Sequence, residues 1–371
     1  MITRRRFVRD LSCLAAVSQL AGEAFLARRA WASLAPRDNM VWLDANENPA
    51  GPPLSALKAI VDGAAATGRY HFDEFAAFTE LIARSEGLTP EQVVCGIGSS
   101  DVINAAICAF SSSVKPMITA TPSYEIPMEF AKRLGKKVVQ LPLTEEWAFP
   151  VRKLAEEAER AGGGLIYLCN PNNPTSSITP PNDIGWLAAN LPPQTVLLVD
   201  EAYIDFLPRA DVLSALRYVR SDRNVVVTRT FSKIYGMAGA RVGFGCAKPD
   251  LIRTMRPFLD NVIPILGLRA ATAALGEGAT LIPSRRAAVA HARSELCNWL
   301  RQKRIPYIEP YGNFVMMDIG RDVRAFGAEM FRKGVAVGRP FPALKEMLRV
   351  TVGTDLEMTR FREVFWEVYS G

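Results

Sequence analysis

The chain has 371 residues, 49% hydrophobic and 22% charged, with a net charge of +6. The length supports a large core and two domains, and the composition is that of a folded protein rather than a disordered one. The basic excess is local: six arginines among residues 1–32, against Asp10 and Glu23, contribute +4 and leave +2 for the rest, with no basic stripe or recognition signature of a nucleic-acid-binding protein.

Residues 1–32 read as a leader rather than as part of the fold. Thr3-Arg4-Arg5-Arg6 opens it, a mildly apolar run interrupted by Glu23 follows, and Ala30-Trp31-Ala32 gives a small-x-small cleavage site before Ser33. The run is too short for a spanning helix. The paired arginines resemble the twin-arginine export signal of bacteria, which implies hand-over to that export machinery and delivery of a folded protein to the periplasm. A basic amphipathic leader or membrane anchor is the alternative, and without a working leader the protein stays in the cytoplasm. Cys95, Cys108, Cys169, Cys246 and Cys297 remain after Cys13 leaves with the leader; an odd number without a C-x-x-C pair reads as small buried hydrophobes.

Further along, 92–98, 116–124, 136–143, 164–170, 195–203, 224–232 and 240–247 read as strands, most of them continuous apolar runs. Helical patterns such as 151–161 lie between several of them. This α/β alternation predicts a mainly parallel central sheet in a large domain. Beyond about residue 265 the pattern turns helical and then shows "GNFVMMDIG" and "LRVTVGT", a smaller α+β domain. The expected division is 1–32 leader, 33–64 a segment joining the small domain, 65–264 large domain and 265–371 small domain. Neither His71 nor His291, the two histidines, has metal-ligand spacing, so no metal is expected.

Polar residues gather where the apolar runs end, and in open α/β sheets ligands bind at the carboxyl ends of strands. "RTFSKIYGMAGARVGFG" places Lys233 after Thr230 and Ser232, with Arg241 eight positions on. A lysine amine condenses with a carbonyl to a Schiff base, and pyridoxal phosphate is its usual partner. Such a site needs a carboxylate at the ring nitrogen, donors to the phenolic oxygen, an aromatic on the ring face and a phosphate cradle. Asp200 in "VDEAYIDF" is the candidate carboxylate, although a lone Asp after a strand also caps helices. Tyr203 and Asn173 are the candidate donors, though "NPNNPT" alone is only a turn-rich loop. Tyr124 is the candidate ring, or an ordinary core aromatic. "GIGSSD", with Ser99 and Ser100, follows a strand and opens a helix, where backbone N–H groups face an anion; Thr230, Ser232 and Arg241 complete that pocket.

On these motifs the chain resembles the fold-type I, class I/II pyridoxal-phosphate aminotransferases, and most of all their histidinol-phosphate aminotransferase branch. "LDANENPAGP", "RYHFDEF", "GIGSSD", "PSYEIP", "NPNNPT", "DEAYIDF", "RTFSKIYGMAGARVGF", "GNFVMMD" and "LRVTVGT" occur in the family's order across nearly the whole chain after the leader. The resemblance implies that Lys233 carries the cofactor and that Asp200 pairs with its ring nitrogen. It implies that Asn173 and Tyr203 reach the phenolic oxygen, that Tyr124 stacks on the ring, and that Ser99, Ser100, Thr230, Ser232 and Arg241 hold the phosphate. It also implies that Tyr70 crosses to the other subunit of a homodimer, that Arg349 clamps the substrate α-carboxylate, and that Arg339 meets the substrate's distal end.

Three departures from the family pattern stand out: Ser176 where a glycine is usual, Tyr70-His71-Phe72-Asp73 for "YPD", and Ser99-Ser100-Asp101 for "GSDE". The activity implied is transfer of an amino group between an amino acid and a 2-oxo acid. A lyase or decarboxylase on the same fold (a C–S β-lyase, or one like phosphothreonine decarboxylase) shares every cofactor residue and is the alternative. A binding protein that keeps the fold is a third reading, against which the intact Lys233 argues. If the leader works, a periplasmic amino acid, or a peptide or siderophore precursor, is expected as substrate rather than histidinol phosphate.

Overall fold

In the computed structural model, which describes residues 40–208, 214–259 and 261–371, the strands follow the chain as β1 (Val41–Leu43), β2 (Val93–Ile97), β3 (Met117–Thr121), β4 (Val138–Pro142), β5 (Gly164–Cys169), β6 (Thr195–Asp200), β7 (Val225–Thr230), β8 (Val242–Ala247), β9 (Tyr307–Ile308), β10 (Phe314–Asp318), β11 (Val335–Val337) and β12 (Met347–Thr351). The leader read at 1–32 lies outside the described residues. β2 to β8 form one seven-stranded sheet in the order β2-β8-β7-β6-β5-β3-β4. The pairings among β3 to β7 are parallel, while β8 runs antiparallel to both β2 and β7. The sheet is therefore mainly parallel, as the apolar runs imply.

β5 to β8 are buried along their whole length, and successive side chains part to opposite faces. Leu165, Tyr167, Cys169, Val196 and Leu198 join one hydrophobic cluster, with helix Ser99–Phe110 packed over it. Ile166, Leu168, Leu197 and Val199 join the other, to which helices Phe72–Glu86, Val151–Arg160 and Pro181–Ala189 contribute. Helices on both faces, rather than β propensity alone, make these strands read as unbroken apolar runs.

Three of the expected strands, 116–124, 195–203 and 224–232, stop two or three residues short, at Thr121, Asp200 and Thr230. Beyond those points the polar residues leave the ladder and turn toward a cavity. β8 runs the other way, so Arg241, which precedes it, lies at the same edge of the sheet as the carboxyl ends of β5, β6 and β7.

Toward the C-terminus, β12-β10-β9 form an antiparallel sheet, and β1 pairs in parallel with β11, Val41 opposite Val335. Long helices Ile265–Gly276 and Gly278–Lys303 precede this sheet. The terminal helix Asp355–Ser370 starts from a capping box in which Thr354 and Glu357 satisfy each other's backbone N–H groups. Among the described residues, no single helix is long and apolar enough to cross a membrane.

Candidate active site

A cavity of about 320 Å³ opens at that sheet edge. Lys233, Asp200, Tyr203, Asn173, Tyr124, Ser99, Ser100, Thr230, Ser232, Arg241, Arg349 and Arg339 all line it. Of the site residues implied by the sequence, Tyr70 alone does not. It is 74% exposed and stacks on the equally outward Phe72, with ring centroids 5.6 Å apart.

Register explains the placement of Asp200. Cys169, Asp200 and Thr228 are paired neighbours on β5, β6 and β7, so they form a row across the sheet. Asp200 continues the face that carries Val196 and Leu198, one step past the last hydrophobic residue. Its carboxylate accepts from the Tyr167 hydroxyl (3.2 Å), the Thr228 hydroxyl (3.4 Å) and the Ala202 N–H (3.2 Å). Burial pushes its pKa from 3.8 up to about 6, against the lowering effect of those bonds. No lysine, arginine or histidine among the described residues forms a salt bridge with it.

Lys233 follows β7 and reaches into the same space, its amine donating to the Ala45 carbonyl (3.2 Å) and lying 5.6 Å from the Tyr203 ring centroid. Burial, reinforced by the Arg349 cation, lowers its pKa from 10.5 to about 8. A substantial share of the amine is therefore neutral, and nucleophilic, near neutral pH.

An anion cradle lines the same cavity. Helix Ser99–Phe110 begins there with its free N–H groups and positive dipole end. Gly98 has φ of 78°, and a Cβ on it would collide with Arg241. A Cβ on Gly243 would lie 2.1 Å from the Ser99 nitrogen, so only glycine lets β8 and the helix start approach this closely. Arg241 donates to the Ala238 carbonyl (2.9 Å) and the Ser232 hydroxyl (3.4 Å), and Thr230 donates to Ser232 (2.9 Å). The guanidinium has no carboxylate in salt-bridge range among the described residues. A cation, two hydroxyls and a helix N-terminus converging on one point form a phosphate-type site.

Arg349, on β12, is 8% exposed and likewise lacks a carboxylate partner among the described residues. It donates to the Asn173 side-chain oxygen (2.8 Å) and the Asp44 carbonyl, and its Nε is buried without a partner. Its contacts are neutral acceptors, so its charge is left to attract an anion. Because Asn173 accepts from Arg349 through its oxygen, its amide N–H groups stay free to donate.

Sequence reasoning passed over four residues here. Asn46 sits in "LDANENPAGP" with φ of 54° and ties three parts of the site together. Its N–H donates to the Thr351 hydroxyl (2.9 Å), its amide donates to the Tyr203 hydroxyl (3.2 Å), and its carbonyl accepts from Asn313 (3.2 Å). Its neighbours Ala45 and Glu47 give no sign of this in the sequence; asparagine's tolerance of positive φ is the only local hint. Tyr167 was hidden inside an apolar strand. Glu125 and Phe341 line the cavity from a helix start and a loop far apart in sequence. Ser176 also finds its account: it holds φ of 61°, and its hydroxyl accepts from the Gly312 N–H (2.8 Å).

Fold and site together define a lysine-centred enzyme of the α/β class, with a carboxylate and an anion cradle in the same cavity as the amine. The chain belongs to the aminotransferase class I and II family, whose model matches residues 38–365. It is 32% identical over 328 residues to a histidinol-phosphate aminotransferase of Symbiobacterium thermophilum, covering 88% of this chain and 89% of that one. A second histidinol-phosphate aminotransferase, from Moorella thermoacetica, is 30% identical over 338 residues, 89% of this chain and 86% of the other. Among solved structures, the histidinol-phosphate aminotransferase of Sinorhizobium meliloti in complex with pyridoxal-5'-phosphate superposes with a TM-score of 0.80 at 26% identity, covering 89% of this chain and 91% of that one. The fold is the fold-type I architecture, shared also with an aspartate aminotransferase of Thermus thermophilus at a TM-score of 0.75 and 20% identity, covering 96% of this chain and 98% of that one.

Proposed function

We propose that this chain is a pyridoxal-phosphate-dependent aminotransferase, similar to the histidinol-phosphate aminotransferases, that moves an amino group between an L-amino acid and a 2-oxo acid. The observation that carries this reading is one cavity that holds together the Lys233 amine, its pKa lowered to about 8, a buried carboxylate without a salt-bridge partner among the described residues, and an anion cradle without a carboxylate. These residues fit the cofactor. Ser99, Ser100, Thr230, Ser232 and Arg241 would hold its phosphate, and Asp200 its protonated ring nitrogen. Asn173 and Tyr203 would donate to its phenolic oxygen, and Tyr124 would cover a ring face.

Pyridoxal phosphate, when bound, supplies an aldehyde for the amine and an electron-withdrawing ring that acidifies the substrate Cα–H. Arg349 binds the substrate α-carboxylate and fixes its orientation. With substrate bound, the Lys233 amine would act as the general base that takes the Cα proton and as the acid that returns it. Asp200 would hold negative charge for the ring nitrogen, and Asn46 and Tyr167 fix the orientation of Tyr203 and Asp200.

The exposed Tyr70–Phe72 pair supports a homodimer in which Tyr70 reaches the partner's phosphate cradle. The test is the subunit mass in solution together with cofactor affinity in Tyr70→Ala; a monomer with unchanged affinity refutes it. The arginine pairs near the N-terminus support export to the periplasm by the twin-arginine pathway, which Arg4→Lys/Arg5→Lys with cell fractionation would test.

For the activity itself, the loaded protein is mixed with single amino acids while the cofactor spectrum is followed. The expected result is stoichiometric conversion to the amine form with release of a 2-oxo acid. Release of ammonia or carbon dioxide instead would make the chain a lyase or decarboxylase.

A further inference from the structure

Three cations line the cavity around Lys233, and they are not equivalent. Arg241 belongs to the anion cradle and Arg349 to the α-carboxylate position, and neither has a carboxylate partner among the described residues. Arg339 does: its guanidinium donates to the Glu125 carboxylate at 2.5 Å, and both residues line the cavity. Glu125 is the first residue of helix Glu125–Arg133, directly after Tyr124, so its charge also lies favourably at a helix N-terminus. Arg339 lies 4.5 Å over the Phe341 ring and Arg349 lies 5.2 Å from the same ring. The α-carboxylate position and the paired charges thus border the same aromatic ring.

We propose that Glu125 is a specificity-determining residue: by holding the Arg339 charge, it makes the far wall of the substrate pocket neutral and selects amino acids with uncharged, largely apolar side chains. This inference rests on the aminotransferase reading and names its substrate class. An anionic side chain arriving at Arg339 would have to displace Glu125 or lie beside it, and like charges at that range repel. A cationic side chain meets the same obstacle from Arg339. An uncharged side chain packs on Phe341 and leaves the pair intact. The pair is partly exposed, with side-chain exposures of 56% and 26%, so the discrimination is moderate, about tenfold rather than thousands.

The test is equilibrium binding of substrate-shaped acids to the loaded protein by calorimetry: glutarate for an anionic side chain, 3-phenylpropionate for an apolar one and 5-aminovalerate for a cationic one. Wild type should bind 3-phenylpropionate most tightly. Glu125→Gln frees Arg339 and should shift the ratio of the two dissociation constants at least fivefold toward glutarate. Arg339→Gln should shift the corresponding ratio toward 5-aminovalerate, and the double variant should return both ratios to within threefold of wild type. Using a ratio cancels any general weakening of the fold. A shift below fivefold in Glu125→Gln, or a wild type that prefers glutarate, overturns the proposal. Failure of every amino acid to convert the cofactor would instead overturn the aminotransferase reading, so the two failures are distinguishable.

Discussion

Asp200 and Lys233 are held at opposite ends of the same electrostatic problem, since Asp200 is buried and Lys233 partly buried where the charged form of each is disfavoured. Between pH 3.8 and about 6 the folded cofactor-free chain keeps a proton on Asp200 that the unfolded chain has released, so its stability falls as pH rises through that window. The full cost at pH 7 is on the order of 3 kcal/mol. Asp200→Asn, in cofactor-free protein, should therefore gain stability relative to wild type as pH goes from 4 to 7, read as a widening gap in urea midpoints; a constant gap would contradict the burial argument. Lys233 acts in the other sense, because lowering its pKa to about 8 raises its neutral fraction. The rate at which cofactor-free protein takes up pyridoxal phosphate should climb with pH up to about 8 and level off above it, in a stopped-flow absorbance measurement. A rate still climbing at pH 10 would mean an ordinary surface lysine. Both residues were legible in the sequence because a polar side chain directly after an apolar strand has few places to go. Tyr167, which bonds Asp200, was not legible, since its ring belongs to the core and only its hydroxyl to the site.

At the scale of the elements, the strand ends do the positioning, and the alternation of faces decides which residues face the cavity. Asp200 and Thr228 share a register position, so the contact between them follows from pairing rather than from any local motif. The loop after β5 shows how a departure from the family pattern is accommodated. Ser176 adopts φ of 61°, which glycine would hold more cheaply, yet its hydroxyl satisfies the Gly312 N–H. Ser176→Gly should exchange one effect for the other and stay within about 1 kcal/mol of wild type, whereas Ser176→Ala keeps the strained backbone, loses the bond and should cost about 1–2 kcal/mol. Denaturant midpoints separate the two. The strand runs and the helix at 151–161 were readable from periodicity, because burial on both faces imposes a pattern on neighbouring residues. The pairing of Glu125 with Arg339 was not, because it joins residues 214 positions apart.

Across the whole molecule, a buried ion network ties the sheet to helix Phe72–Glu86. Arg229, on β7, bonds Glu201 (3.0 Å) beyond β6 and Glu86 (3.1 Å) at the end of that helix, with all three side chains nearly out of solvent. Its pKa is raised by the two carboxylates despite burial, led by Glu201. Arg229→Ala strands two buried carboxylates and should cost about 3–5 kcal/mol, measured by chemical denaturation, with little change if the network is dispensable. Arg229 lies four residues before Lys233 in the chain, so the network anchors the strand that leads to that segment. No sequence pattern announced it, because a buried arginine inside an apolar strand looks like an interruption until its partners are known.

The central claim is that the Lys233 amine carries the cofactor covalently. Borohydride reduction of the loaded protein, followed by peptide mass analysis, tests it most directly: a single pyridoxyl-phosphate adduct on the peptide containing Lys233, absent from Lys233→Ala, is the expected result. An adduct on another lysine, or retention of the same bonded chromophore in Lys233→Ala, would contradict the account.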